Sequence, residues 1–159
     1  MNAIHNANSV PLIFISGLNY DTDLSPIPNA AALTPSTTQK FVKSSFSYSN
    51  KLVLELHNYA TSTTSCSSLQ SSLVSAGYSA LGRNGAVTNQ MPVVLTEWGH
   101  AQTSSDWASV YSSCLKSYLG SVKGGWMIWV VAGSYYIRSG GQDYDESWGE
   151  WISFFSLYV

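Results

Sequence analysis

Four residues with acid, imidazole, phenol and indole side chains stand at the ends of short apolar runs. Glu97 follows Val93–Thr96 directly and is flanked by Trp98 and Gly99. A carboxylate there emerges at the mouth of a sheet, in a low-dielectric wall, a setting that perturbs acids and often marks functional ones. The competing reading is a strand-end Glu paired with a basic residue, and the scarcity of Lys and Arg weighs against it. Glu55, His57 and Tyr59 share a parity, so on a strand they point to one face. Glu55 lies deepest and reads as a structural acid in a hydrogen-bond network. His57 and Tyr59 lie nearer the open end, where they can orient Glu97 or a ligand; a satisfied structural histidine is the alternative. Trp129 is a candidate stacking platform, with core packing as the alternative. Asp21 and Asp23 read as loop caps. Three histidines and two cysteines show no ligand spacing, so no metal and no cofactor is expected. A Ser or Cys nucleophile is unsupported, because Gly-x-Ser-x-Gly is absent and Cys114 lies on a helical stripe.

The elements that must position these residues are legible as apolar runs. Leu12–Ser16, Leu52–Leu56, Val93–Thr96 and Trp126–Val131 have strand length and are bounded by Pro, Gly or polar residues. They read as near-continuous apolar segments, the habit of parallel strands covered on both faces. Between them lie helical patterns. In Ser105–Leu119, Trp107, Val110, Tyr111, Cys114, Leu115, Tyr118 and Leu119 form one stripe, with Ser104 or Ser105 as cap and Gly120 as stop. Leu69, Leu73, Ala76 and Ala80 make a weaker helix, Glu146–Leu157 a third, and Met1–Ala7 the tail of another. Thr34-Pro35 reads as a cap and first turn, but Gln39–Tyr48 is only loosely periodic. Strands alternating with helices predict an α/β fold with a parallel sheet. Ser16-Gly17-Leu18-Asn19 is no phosphate cradle. The recurrence of strands every few tens of residues agrees instead with (β/α)8 barrel units of ~30 residues. Catalytic groups of such barrels sit at the C-terminal ends of strands, where Glu97, His57 and Tyr59 fall.

Composition excludes several classes. The chain has 159 residues, 45% hydrophobic and 10% charged, with a net charge of −2. That excludes intrinsic disorder. Seven Lys and Arg against nine Asp and Glu argue against nucleic acid as a partner. No apolar run reaches the ~18 residues of a membrane span, and no N-terminal signal segment is evident. Aromatics are 13%, including six Trp and ten Tyr, which with the low charge suits stacking on neutral, flat-faced ligands such as sugars. Cys66 and Cys114 allow one disulfide, closing a loop worth ~4 kcal/mol in the chain-entropy model.

Segments 12–25 (LIFISGLNYDTDLS), 51–59 (KLVLELHNY) and 92–99 (PVVLTEWG) resemble glycoside hydrolase family 5, the cellulase-type family, most nearly its secreted fungal members. Segments 124–129 (GGWMIW) and 132–138 (AGSYYIR) fit the same resemblance. It implies a TIM-type (β/α)8 barrel of retaining enzymes with two catalytic glutamates. By resemblance Glu97 matches the nucleophile at the end of strand seven. His57 and Tyr59 match the His-x-Tyr of strand six, whose Tyr contacts the nucleophile. Trp129 matches the strand-eight Trp that stacks on the sugar. The resemblance also implies a Cys66–Cys114 disulfide and an extracellular setting.

The departure from the family is equally informative. Its acid/base glutamate follows an Asn at the end of strand four, and no Asn-Glu pair occurs in this sequence. The expectation is therefore a partial barrel, strands five to eight with their helices, in which residues 1–159 form the C-terminal half of the catalytic domain. The expected function is retaining hydrolysis of a β-1,4-glucan or related polysaccharide, with little activity from this half alone. The alternative is a non-catalytic carbohydrate-binding or assembly remnant. Two copies could close on each other as a homodimer to cover the exposed strand edges.

Overall fold

The computed structural model describes residues 1–100 and 105–129, and the backbone of two short strands at 137–138 and 141–142. The helix expected over Glu146–Leu157 lies outside the described residues. Helix α1 (Asn2–Ala7) precedes strand β1 (Ile13–Ile15), and a long connection leads to β2 (Leu52–Asn58). Helix α2 (Cys66–Ala76), β3 (Val93–Trp98), α3 (Val110–Val122) and β4 (Gly125–Trp126) follow. Strands β5 (Ile137–Arg138) and β6 (Gly141–Gln142) form a separate antiparallel pair.

The first four strands make one sheet in the order β1-β2-β3-β4. β1 and β2 are parallel, with Ile13 opposite Leu52 and Ile15 opposite Leu54. Spatial order follows chain order, the pattern produced when each crossover returns the chain to the next position in a parallel sheet. Leu52, Val53 and Leu54 are buried in succession, so the start of β2 is covered on both faces, as its continuous apolar run predicts. Among the described residues no helix is long and apolar enough to cross a membrane.

The chain divides into two compact units, Met1–His57 with Ser71–Thr96 and Asn58–Gln70 with Glu97–Val159. The first has a core that includes Leu24, Ile27, Leu54, Leu56, Leu73 and Leu95. Its long connection between β1 and β2 has little regular structure, and Asn89 organises much of it. Asn89 Nδ2 donates to the carbonyls of Ile27 at 2.6 Å and Phe41 at 2.9 Å. Its Oδ1 accepts from the Lys43 N–H at 2.8 Å, and its own N–H donates to Pro28 O at 2.9 Å. Asn89 is 1% exposed, so its amide replaces water for backbone groups that no strand or helix satisfies.

The second unit centres on Trp98, which is fully buried. Its indole meets Tyr111 and Trp126 edge-on, with ring centroids 6.3 and 5.9 Å away. Tyr111, Cys114, Leu115, Tyr118 and Leu119 of α3 are buried, which is most of the predicted stripe. Trp107 remains exposed, because 105–108 is a 3-10 turn whose angular period throws that residue out of phase; Val110, in the first turn of α3, is exposed as well. The cap of α3 is Ser109, whose side chain accepts from the Ser112 N–H, rather than Ser104 or Ser105. Nor does Gly120 stop the helix. It continues to Val122 and ends where Lys123 turns left-handed at φ 53°. A helical glycine costs only ~1 kcal/mol against alanine, and the bond from Gly124 N–H to Leu119 O at 2.9 Å closes the end instead. Cys66, at the start of α2, forms a disulfide with Cys114 of α3.

Candidate functional site

β3 runs two residues beyond the predicted Val93–Thr96, so Glu97 sits in the strand rather than after it. β2 likewise extends to Asn58. Ladder hydrogen bonds continue into the polar strand ends, which apolar patterning alone undercounts. Tyr59, the residue after β2, donates its phenol O–H to Glu97 Oε1 at 2.7 Å. A hydrogen bond to an ionised carboxylate is among the stronger neutral-to-charge contacts and fixes the acid's orientation. Tyr59 is 45% exposed, so its phenol is not part of the buried core.

Trp129 joins the same unit through backbone rather than side-chain contacts. Its N–H donates to Trp98 O at 2.8 Å. Its carbonyl lies so close to Gly99 that a β-carbon there would collide with it, and the Tyr59 ring would be 3.5 Å from that β-carbon. Gly99 is therefore the position that lets the chain of Trp129 approach β3. Trp129 is 53% exposed, so it does not serve as core packing. Trp126 instead packs on Trp98. Glu97, Tyr59 and Trp129 are thus gathered in one unit. In the sequence Gly99 reads only as a flank of Glu97, and its positioning role has no signal there beyond a Gly beside a strand-end acid.

His57 belongs to the other unit, where its described partner is Asp21. His57 N–H donates to Asp21 O at 2.8 Å, and His57 Nε2 is 3.8 Å from Asp21 Oδ2. Glu55 is held by the Ser16 hydroxyl, which donates to its Oε1, as expected of a structural acid. Asp23 accepts from the Ser25 N–H at 2.8 Å, the local loop cap expected of it. Asp21 accepts from the Gly17 N–H at 2.7 Å, so it too caps a loop but also meets His57, a contact that sequence spacing does not suggest. Gly17 is required there, since a β-carbon would come within 2.6 Å of Asp23 O.

Comparison with known proteins bears on the family and the fold. The model of the family described as Cellulase (glycosyl hydrolase family 5) matches residues 1–133. A glycosyl hydrolase 5 family protein of Chamaecyparis obtusa is 29% identical over 156 residues, covering 92% of this chain and 26% of that protein. An endo-β-1,4-glucanase structure from Xanthomonas axonopodis pv. citri superposes with a TM-score of 0.57 at 18% identity. It covers 99% of this chain and 50% of that one. The structure of XacCel5A in complex with cellopentaose gives a TM-score of 0.55 at 17% identity, with the same coverage. The chain thus spans about half the length of these solved structures and about a quarter of the curated relative. The likeness supports the α/β, partial-barrel reading of the fold. With a family model matched over residues 1–133, the chain belongs to the cellulase family, glycosyl hydrolase family 5.

Proposed function

We propose that the chain supplies the nucleophile side of a retaining glycoside hydrolase site acting on a β-1,4-glucan or related polysaccharide. Residues 1–159 correspond, in this reading, to strands five to eight of the barrel with their helices. The observation that carries it is the 2.7 Å hydrogen bond from Tyr59 to Glu97. The phenol holds Oε1 and so orients the carboxylate, which attacks. Glu97 adds to the anomeric carbon, and the glycosidic oxygen leaves with a proton from a second carboxyl ~5–5.5 Å away. Trp129 stacks on the sugar ring, and His57 hydrogen-bonds a sugar hydroxyl. Tyr59 steadies the nucleophile as charge shifts from it to the glycosyl-enzyme.

The second carboxyl belongs, by the family resemblance, to an Asn-Glu pair that does not occur in these 159 residues. On their own they therefore bring one of the two required acids and hydrolyse unactivated glucan little or not at all. The Cys66–Cys114 disulfide supports an oxidising, extracellular setting.

The test exploits the difference between the two carboxyls. A dinitrophenyl 2-deoxy-2-fluoro-cellobioside has a leaving group that departs without protonation, so it needs the nucleophile but not the acid. Incubated with the 159-residue chain, it is expected to label Glu97 covalently, read as a mass increase on the peptide that contains it. Glu97→Gln is expected to remain unlabelled. Absence of label on the folded chain would reject Glu97 as a competent nucleophile. Efficient cellulose hydrolysis by the same chain would reject the need for a second acid. Cellopentaose binding that Trp129→Ala abolishes, with no label on Glu97, would favour the non-catalytic binding reading.

A further inference from the structure

The segment that carries Tyr59 is fastened to α3 at both ends. Asn58 closes β2, and its carbonyl accepts from the Tyr111 hydroxyl. Around Tyr59 the chain turns. Asn58 Oδ1 accepts from Ala60 N–H at 3.2 Å, and Tyr59 O accepts from Thr61 N–H at 2.8 Å. The segment then reaches Cys66, which is bonded to Cys114. Tyr111 and Cys114 stand at i and i+3 on α3 and so lie on one face. Both are buried. All of these residues, with Glu97, belong to the second unit.

We infer that Tyr111 is a positioning residue for Tyr59, and through it for Glu97. The Asn58 carbonyl and the Tyr59 N–H share one planar peptide group. A hydroxyl that fixes this carbonyl therefore fixes the plane from which Tyr59 departs. Tyr111 is itself held, because its ring meets Trp98 edge-on with centroids 6.3 Å apart, and Trp98 follows Glu97 in β3. One buried side chain thus contacts the end of β2 and the strand that carries the acid. The phenol–carboxylate bond of 2.7 Å depends on this placement, since hydrogen bonds weaken steeply with misalignment. The disulfide is the second tether, and it limits how far the segment shifts when the first is lost. The catalytic consequence rests on the proposed role of Glu97 as nucleophile, whereas the placement of Tyr59 can be read without it.

The experiment is a double-mutant cycle on the labelling of Glu97 by the dinitrophenyl 2-deoxy-2-fluoro-cellobioside, with the full chain. Tyr111→Phe removes the hydroxyl and keeps the ring against Trp98. It is expected to slow labelling about 3–10-fold, the equivalent of one neutral hydrogen bond. In the Tyr59→Phe background the same substitution is expected to change the rate less than about twofold, because no phenol remains to be placed. Rates are taken at a temperature where thermal melts show all four proteins folded. Equal slowing in both backgrounds, the result of a merely structural role, would overturn the inference, as would no slowing in either. Replacement of Tyr111 by 4-aminophenylalanine keeps a donor at the same ring position and is expected to restore the rate; no recovery would also overturn it. A second arm needs no ligand. With tyrosine ¹³C-labelled at Cζ, the Tyr59 resonance is identified by its loss in Tyr59→Phe. In Tyr111→Phe it is expected to move toward its position in Glu97→Gln, and an unmoved resonance would reject the inference. If the resonance moves and the wild type is never labelled, the hold of Tyr111 on Tyr59 stands and the nucleophile role of Glu97 falls.

Discussion

The backbone N–H of Trp129 donates to the carbonyl of Trp98 at 2.8 Å, so a buried indole and an exposed one are tied through their main chains. Trp98 anchors its unit from within, and the residue just before it in β3 is Glu97. The exposed indole of Trp129 is therefore placed by hydrogen bonding and close packing of backbone, leaving its own faces available to a ligand. The stacking role proposed for Trp129 is compatible with this placement, because the ring need not be packed to be positioned.

The close approach at Gly99 should be sensitive to a single carbon. Gly99→Ala drives a methyl into the Trp129 carbonyl and should destabilise the chain by ~1–3 kcal/mol. Because Trp129 must move, cellopentaose binding should fall as far as in Trp129→Ala. Isothermal titration calorimetry beside thermal melts checks both; binding unchanged in Gly99→Ala would mean that Trp129 is positioned by other contacts.

Tyr59→Phe removes the phenol O–H that donates to Glu97 and keeps the ring, which is partly exposed. Stability should change by less than ~1 kcal/mol, and the rate of covalent labelling of Glu97 should fall about 10–100-fold, the equivalent of a hydrogen bond to a charged group. A stopped-flow assay of dinitrophenolate release measures it. Equal rates in the two proteins would remove Tyr59 from the mechanism.

Asn89 serves four backbone groups from one buried position. Asn89→Ala leaves the Lys43 N–H and the carbonyls of Ile27 and Phe41 without that partner, and should cost ~2–4 kcal/mol. Asn89→Asp keeps the acceptor but loses both side-chain donations, and should be no better. Urea denaturation gives the comparison, and proteolysis of the connection between β1 and β2 should accelerate in parallel.

Reduction, or the double replacement Cys66→Ser with Cys114→Ser, opens a bridge that spans a sequence separation of 48. The chain-entropy model puts the loss at ~4 kcal/mol, which for a chain of this size lowers Tm by roughly 10 °C. Differential scanning calorimetry with and without reductant provides the readout.

What the amino-acid sequence by itself determined is the kind of fold and the identity of the chemical groups. The three best-defined apolar runs became β1, β2 and β3, because strand-length apolar runs bounded by turn residues leave a clear local pattern. Only the start of β2 is buried on successive residues, however, and Phe14 of β1 stays exposed. Glu97 and Tyr59 stood out because polar residues that follow such runs have few structural reasons to be there, and Trp129 as an indole carried within the fourth run. The sequence also carried the α3 stripe, although its start and end shifted with a 3-10 turn and a lysine in the left-handed region, where capping geometry outweighs the preference of a single glycine.

Tertiary structure alone decided the pairings. That the Tyr59 phenol takes Glu97, that Gly99 makes room for the backbone of Trp129, and that Asn89 serves a loop 46 to 62 residues away are relations between distant positions. Asp21 shows the limit best. In sequence it is one of two loop-capping aspartates, and its neighbour Asp23 caps its loop as expected. Only the turn after β1 and the alignment of β1 with β2 bring Asp21 against His57. Local pattern reports what a residue needs from its immediate chain; long-range contact depends on strand register and loop path, which no local period encodes.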